Sequence, residues 1–526
     1  MSARIEDARV QPRPVPQGWP RAALLSLSDK QGAVSFARSL AEHGTRILAS
    51  GGTAKHLEQA GLTVEPLERW TGFSELLGGR VKTLHPHVHA PILARRDAAA
   101  DMAELSERDL EPIDLVAVSL YPFESRGVTL EDADMIEEID IGGVALLRGA
   151  AKNHEGVLVL HDPSQYELVI EALRDGVSPS FRRELALAAF ARTARYDAAI
   201  ASELARRMGS AGEPPRFHAT ILERSRTLRY GENPHQSAAL YTRAGEAATL
   251  SAWREGKELS FNNLLDLEAA VSLVGRFESA ACVIVKHNQP CGAAVAGSIA
   301  QAYEAAHASD PLSAFGGVVA LNRPLDAETA RLIGTRFVEC VAFPSITPEA
   351  DEALRGLKNL RLVPLSAADL ESVDAWRARP VGRWALLQRS GKGEAPPWRT
   401  VSKRAPSGAE MAALMFAWEV CDAARSNAIT LARGESLIGL GSGQTSRVDA
   451  VDVALMKARR SGHETKGSVL ASDGFFPFAD GVTHAAEAGI TALVQPGGSV
   501  KDAAVIAEAD RLGLAMILTD RRVFRH

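Results

Sequence analysis

Lys286 and His287 close an uncharged, mostly β-branched run, Ala281-Cys282-Val283-Ile284-Val285. The run reads as a short buried strand, and Pro290 and Gly292 mark the turn after it. An imidazole accepts a proton near neutral pH; a neighbouring ammonium lowers its pKa and stabilises developing negative charge. A strand end carrying both can move a proton and hold an oxyanion. Alone, such a pair is more often a satisfied histidine beside a solvated lysine. Here two polar, turn-rich stretches accompany it: Arg229-Tyr230-Gly231-Glu232-Asn233-Pro234-His235-Gln236 upstream and Asp310-Pro311-Leu312-Ser313-Ala314-Phe315-Gly316-Gly317 downstream.

A second concentration of chemistry lies near the N-terminus. Ser50-Gly51-Gly52-Thr53 falls between a strand and a helix. Glycines there admit an anion to the helix N-terminal N–H groups. Gly79 to His89 (GRVKTLHPHVH) adds Arg80, Lys82 and three histidines. His85, His87 and His89 could bind a metal as in H-x-H hydrolases. Pro86 breaks the alternation that would put two of them on one strand face, and no carboxylate-rich partner motif stands out. The metal reading is therefore the weaker one, and no metal is expected. Gly439-x-Gly441-x-Gly443 lacks the G-x-G-x-x-G dinucleotide spacing. Asp473-Gly474-Phe475-Phe476-Pro477-Phe478 reads either as core or as a platform for a flat ring.

These groups need elements to hold them. A chain of 526 residues exceeds one core and implies two to four domains. A net charge of −6 and a pI near 6.2 argue against a nucleic-acid-coating surface. Cys282, Cys291, Cys340 and Cys421 form no C-x-x-C pair and read as reduced thiols in the cytoplasm. No apolar run is long enough to span a bilayer, so no membrane partner is expected. Residues 1–20, rich in Pro and Arg, lack the apolar core of a signal peptide and read as a disordered extension.

Strands are expected over Ala22–Ser28, Thr45–Ala49, Leu115–Leu120 and Gly156–Leu160, alternating with helices such as Ala33–His43. That alternation implies a parallel sheet with helical cover. Gly209 to Pro215 is linker-like and marks a domain boundary. Beyond it, helices are expected over Asp326–Ile333, Gly408–Ala424 and Ala503–Arg511. Strands are expected over Leu437–Leu440, Ser468–Ala471, Thr491–Val494 and Ala515–Thr519. No internal repeat is visible, and residues 359–397 read as irregular.

Read in order, many stretches resemble one family. In the first half these are Ser28-Asp29-Lys30, Ser50 to Thr53, Arg80 to His89, Leu120-Tyr121-Pro122-Phe123, Ile139-Asp140-Ile141-Gly142-Gly143 and Ala151-Lys152-Asn153-His154. In the second they are Arg229 to Gln236, Ser260-Phe261-Asn262-Asn263, Lys286-His287, Asp310 to Gly317, Ser426-Asn427, Ile438 to Arg447, Ala471 to Phe478, Gln495 to Ser499 and Thr519 to His526. The family is that of bifunctional purine-biosynthesis proteins pairing AICAR formyltransferase with IMP cyclohydrolase. The resemblance implies an α/β protein: a methylglyoxal-synthase-like doubly wound parallel sheet over residues 21–212, and a transformylase domain of two cytidine-deaminase-like units over 213–526. It implies formyl transfer from 10-formyltetrahydrofolate to AICAR, giving FAICAR, then dehydrative ring closure to IMP. A homodimer with transformylase sites at its interface is also implied.

By the resemblance, Lys82, Tyr121, Asp140 and Lys152 carry ring closure, while Ser28, Lys30, Ser50, Gly52, Thr53, Arg80 and Thr83 hold the ribose phosphate. Lys286, His287 and Asn427 carry formyl transfer. Arg229, Tyr230, Asn263, Gly316, Arg522 and His526 bind AICAR, and Arg447 and Phe476 bind the folate, with Gly439 to Gly443 as a turn nearby. Such residue types suit the chemistry. AICAR's amine is a weak nucleophile that needs a base, and ring closure needs positioning, an oxyanion stabiliser and proton relays. The chain departs from the family pattern at Ser119, Ala90-Pro91, Gln289 and Phe343. A different class, a nucleotide-binding regulatory protein with decayed catalysis, is opposed by the intact Lys82, Asp140, Lys152, Lys286 and His287.

Overall fold

The computed structural model describes residues 18–209, 213–243, 250, 253, 256–370, 376–389 and 396–526. Residues 1–17 of the N-terminal extension and 210–212 of the linker lie outside them. The chain divides into two units, Met1–Leu222 and Glu223–His526.

The first unit is built on five parallel strands, in the order Glu65–Pro66, Arg46–Ala49, Ala22–Leu27, Leu115–Ser119, Leu158–Leu160. Ala22–Leu27 is apolar but for Ser26 because helices cover both faces of the sheet. Helix Ala33–Glu42 buries Ala33, Phe36, Ala37 and Leu40, one stripe at helical spacing. The chain works outward from the central strand on one side, then returns to its other side. The direction of winding therefore reverses between Ala22–Leu27 and Leu115–Ser119. Ligands of open α/β sheets bind at the carboxyl ends of strands beside such a reversal. The fold begins earlier than expected: Trp19, placed by sequence in the extension, is buried and stacks on His43 with ring centroids 3.9 Å apart.

The second unit contains an eleven-stranded mixed sheet. Contrary to the sequence, it holds an internal repeat. Hairpin Ala281–Lys286/Gln289–Val295 is followed by Gly317–Leu321, antiparallel to its first strand, then by the parallel strands Val338–Phe343 and Arg361–Pro364. Hairpin Ile429–Arg433/Ser436–Gly441 is followed in the same way by Val469–Ser472, Ala492–Gln495 and Ala515–Leu518. The repeat is one of topology, so residue identity hides it. It survives in local chemistry: helices Phe261–Val274 and Gly408–Ala423 precede the hairpins, and each opens with a capping box, Ser260 with Asn263 and Ser407 with Glu410. The halves join where Ser436 pairs with Ala294. A core on one face draws on both halves, while the other face carries a separate core for each.

Within 359–397, residues 371–375 and 390–395 lie outside the described residues, and the described parts are less irregular than expected. They supply the edge strand Arg361–Pro364 and an antiparallel ribbon, Trp376–Val381 with Trp384–Arg389. The ribbon is largely exposed, so it shows no inside–outside alternation to read. Phe343, one of the departures from the family pattern, lies in the core at the end of its strand.

Candidate functional sites

In the first unit a cleft of about 940 Å³ opens at the carboxyl ends of the strands. Ser28, Lys30, Ser50, Gly52, Thr53, Arg80, Lys82, Thr83, Tyr121 and Asp140 all line it. Ser50 is the N-cap of helix Gly51–Gln59, whose first N–H groups have no acceptor within the helix. Some expected ligands are already occupied. The Thr53 hydroxyl accepts the Leu27 N–H at 2.9 Å and donates to the Leu27 carbonyl at 3.2 Å, so it fastens the helix to the central strand. Ser28 donates to the Leu120 carbonyl at 2.7 Å and keeps only its acceptor lone pairs. Ser119, one of the departures, accepts the Asp29 N–H at 2.9 Å and knits the two loops together.

The cationic residues of the cleft are matched by carboxylates that sequence reasoning missed. Lys82 Nζ lies 2.8 Å from Glu75, which raises the ammonium pKa. Arg80 pairs with Glu137 through its Nε at 3.2 Å. Asp140 accepts the Gly143 N–H at 2.7 Å, and its own N–H donates to the Tyr196 hydroxyl at 2.9 Å. Burial pushes the Asp140 carboxyl above its ordinary range, against the pull of the N–H groups of Gly143 and Tyr121. Tyr121 is 48% exposed and open to the cleft. His161, Arg192 and Arg195 also line the cleft. No motif announces them, because two come from the 30-residue helix Pro179–Met208 far along the chain.

Lys152 is not brought into this cleft. It sits at the far end of helix Gly142–Lys152, about 15 Å from a first turn that borders the cleft. It lines a neighbouring cavity of about 600 Å³ with His89, Arg148 and Phe190. The segment Ile139-Asp140-Ile141 borders both cavities. The rings of His85 and His87 lie edge to face with centroids 4.8 Å apart, and His85, the N-cap of helix Pro86–Leu93, accepts the His87 N–H at 3.1 Å. Among the described residues no group of three or more His, Cys, Asp or Glu side chains is arranged to hold a metal.

In the second unit Lys286 and His287 stand at the first hairpin. The turn is earlier than expected: Lys286 pairs with Gln289, and His287 and Asn288, with φ of 53° and 61°, form a two-residue loop. Two left-handed residues match the twist of the flanking strands. Pro290 and Gly292 belong to the returning strand. The loop is held by Asp266 of helix Phe261–Val274, whose carboxylate accepts the Asn288 N–H at 2.6 Å. Nothing in the sequence marks Asp266 for this. Lys286 Nζ donates to the Phe315 carbonyl at 2.6 Å, beside Gly316, while the His287 ring is exposed. Asn262 reaches the Glu232 carbonyl at 3.3 Å and ties the Arg229–Gln236 loop to the helix that carries Asp266. In that loop Arg229 lies over Tyr230.

Gln289, another departure, joins this hairpin to the second repeat. Its Oε1 accepts the Arg425 N–H at 3.0 Å, two residues before Asn427. Asn427 Nδ2 donates to the Gln444 carbonyl at 2.9 Å, and its Oδ1 accepts from Arg447 at 2.8 Å. Arg447 is buried and also pairs with Asp473 at 2.5 Å and Ser472 at 2.6 Å. These contacts place Arg447 directly behind Asn427. Phe476, 1% exposed, is core, whereas Phe475 and Phe478 are exposed. Asn263 is also buried: it completes the capping box with Ser260 and donates to Glu339 at 3.0 Å. Gly439 and Gly441 lie within a strand, not in a turn. A Cβ on them would fall 2.3 Å from the Ala454 carbonyl oxygen and 1.9 Å from that of Ala450.

The C-terminal tail returns to this centre. Val523 donates its N–H to the Asp473 carbonyl at 3.2 Å, and the Arg525 carbonyl accepts the Ser426 N–H at 3.0 Å. The buried anchor is Val523; Phe524 is half exposed, between Arg522 over its ring and His526 at its edge.

Together these features give an α/β protein with two candidate sites: a polar cleft on a doubly wound sheet, and a Lys-His hairpin on a duplicated one. A family model described as "MGS-like domain" matches residues 32–145, and one described as "AICARFT/IMPCHase bienzyme" matches residues 150–457. "Bifunctional purine biosynthesis protein PurH" of Chloroflexus aurantiacus is 48% identical over 515 residues, covering 96% of this chain and 98% of its own. Its counterpart of the same description in Synechococcus elongatus is 47% identical over 525 residues, covering 96% and 100%. A solved chain described as "Crystal structure of ForH" is 39% identical, covers 36% of this chain and 98% of its own, and has a TM-score of 0.33. The chain belongs to the AICARFT/IMPCHase bienzyme family, enzymes of purine biosynthesis that transfer a formyl group to AICAR and close the ring of IMP.

Proposed function

We propose that the two activities are divided between the units, ring closure over residues 21–212 and formyl transfer over 213–526. The observation that supports this most is the first-unit cleft, which gathers ten of the residues expected to handle FAICAR. There the ribose phosphate sits against Ser50, Gly52 and the N-terminus of helix Gly51–Gln59, with Lys30, Arg80 and Thr83 around it. Substrate anions displace Glu137 from Arg80 and Glu75 from Lys82. Lys82 then stabilises the oxyanion formed as the carboxamide nitrogen attacks the formyl carbon. Asp140, with its raised pKa, and Tyr121 pass protons as water leaves. Lys152 acts from the adjoining cavity, through the wall that contains Asp140.

In the second unit His287 removes the proton from the AICAR amine as that nitrogen attacks the formyl carbon of 10-formyltetrahydrofolate. Lys286 and Asn427 hold the tetrahedral oxyanion; its collapse breaks the bond from the formyl carbon to the folate N10, which takes up a proton and leaves as tetrahydrofolate. Lys286 uses one of its three donors on Phe315 and keeps two for the reaction. Arg229, Tyr230, Gly316, Arg522 and His526 hold the nucleotide. Exposed Leu312, Phe315 and Phe337 beside Lys286 fit a homodimer whose transformylase sites lie at the interface. Among the described residues no helix is long and apolar enough to cross a membrane, and a cytoplasmic location is part of this reading. The test supplies AICAR and 10-formyltetrahydrofolate and follows FAICAR and IMP. FAICAR without IMP would remove ring closure, and neither product would remove both assignments.

A further inference from the structure

Helix Arg447–Arg460 touches both halves of the formyl-transfer centre. Its first residue, Arg447, holds Asn427. Its last turn faces Asp310, only 4% exposed. Asp310 lies 3.8 Å from Lys457 Nζ and 3.6 Å from Arg460. The same carboxylate accepts from the Ser313 N–H at 3.1 Å and the Ser313 hydroxyl at 2.7 Å, and so shapes the turn Pro311–Ala314. That turn presents the Phe315 carbonyl, which takes Lys286 Nζ at 2.6 Å. Just beyond the helix, His463 Nε2 meets the Ala308 carbonyl at 2.8 Å.

We propose that Asp310 is a positioning residue for formyl transfer: clamped by Lys457 and Arg460 of the second repeat, it sets the turn whose Phe315 carbonyl aims Lys286. The clamp is ionic and crosses the repeats. A buried carboxylate needs a partner, and here both cations come from the other half of the sheet. Serine capping alone would shape the turn without saying where it lies. The two ion pairs fix it to the helix that also fixes Asn427. Lys286 and Asn427, which must meet around one oxyanion, thereby share one strut of 14 residues, about 20 Å long.

This inference rests on Lys286 acting in transfer, so the test carries a control for that. Asp310→Asn, Arg460→Met, their combination and Lys286→Ala are assayed for formyl transfer, with a urea unfolding curve of each variant as the check that the second unit is folded. Asp310→Asn and Arg460→Met should each lower kcat about ten- to a hundred-fold, the loss typical of a reacting group misplaced by about 1 Å. KM for AICAR should change by less than about three-fold, since no binding group is removed. The double variant should lose no more than the worse single one, because both break one clamp. Additive losses, a KM effect without a kcat effect, or unchanged kcat would overturn the clamp. Unchanged transfer in Lys286→Ala would instead overturn the site reading beneath it.

Discussion

In the first unit the two glycines that open helix Gly51–Gln59 at the cleft leave space. A Cβ on Gly52 would meet nothing within 4 Å, and one on Gly51 would stand 3.6 Å from Lys82 Nζ. In the second unit Gly439 and Gly441 of a similar small-residue run fill space. Gly441 lies so close to helix Arg447–Arg460 that a Cβ would fall 1.9 Å from the Ala450 carbonyl oxygen, and Gly292 of the first repeat meets Ala306 in the same way at 2.1 Å. The charges differ too. Lys82 and Arg80 are paired with solvent-exposed carboxylates that an anion can replace. Lys286, Asn427 and Arg447 are fixed to backbone and buried groups. One site is a pre-formed hollow with exchangeable counter-charges. The other is a rigid frame of catalytic groups around an open surface. A nucleotide that must be engulfed suits the first, and two large reactants that must meet suit the second.

The largest expected effects break the molecule into its two activities. His287→Ala should lower formyl transfer about a hundred- to ten-thousand-fold while cyclisation of supplied FAICAR is unchanged. Lys82→Ala should do the reverse, lowering ring closure about a hundred- to a thousand-fold and causing FAICAR to accumulate. Both are read by assaying the two half-reactions separately. If either variant depresses both activities alike, the division between a first-unit and a second-unit site is wrong.

The next prediction sharpens the contrast between glycines. Gly441→Ala should destabilise the second unit by about 1–3 kcal/mol, because the strand must move away from helix Arg447–Arg460. Gly52→Ala should leave stability within about 0.5 kcal/mol and act instead on the KM for FAICAR. Urea unfolding of the two variants beside a KM measurement decides it. A Gly52→Ala protein that unfolds as easily as Gly441→Ala would make both positions mere packing.

Much of this was legible in the sequence, and what was not has identifiable causes. Four of the five strands of the first unit are mostly apolar runs and lie within two residues of their expected bounds; Glu65–Pro66, two residues long and without an apolar run, carries no such signal and was missed. The cleft residues cluster because loops after successive parallel strands meet at one edge. Side-chain occupancy was not legible. Thr53 and Ser28 look like free hydroxyls until Leu27 and Leu120 are seen to use them. In Phe475-Phe476-Pro477-Phe478 the composition is uniform, and only the backbone path decides that Phe476 turns inward. Asp266, Glu75 and Glu137 act through contacts with residues 5 or more positions away and carry no motif. The hairpin tip was misplaced because Pro290 and Gly292 are stronger turn signals than His287-Asn288. Gly292 is there for Ala306, not for a turn.

The smallest predicted effect concerns two carboxyls whose environments oppose each other. Burial raises the Asp140 carboxyl above its ordinary 3.8, whereas Arg404 pulls Glu410 of the second unit down to about 2. A raised carboxyl holds its proton longer in the folded chain than in the unfolded one. Ionisation therefore costs stability, which falls as pH rises from 3.8 through the raised value and is then constant. The depressed Glu410 contributes stability above its ordinary 4.5 and loses it as pH drops toward about 2. Asp140→Asn removes the first titration, and Glu410→Gln the second. Asparagine keeps the acceptor toward the Gly143 N–H, and its altered contact with the Tyr121 N–H is the same at every pH, so only the pH-dependent part is diagnostic. Thermal melts between pH 3 and 7 should show wild type losing ground against Asp140→Asn as pH rises, and gaining ground against Glu410→Gln. A wild-type advantage over Asp140→Asn that grows with pH would mean that the fold stabilises the Asp140 carboxylate. Asp140 would then be a helix cap for Gly143, and the proton handling of ring closure would have to fall to Tyr121 and the lysines.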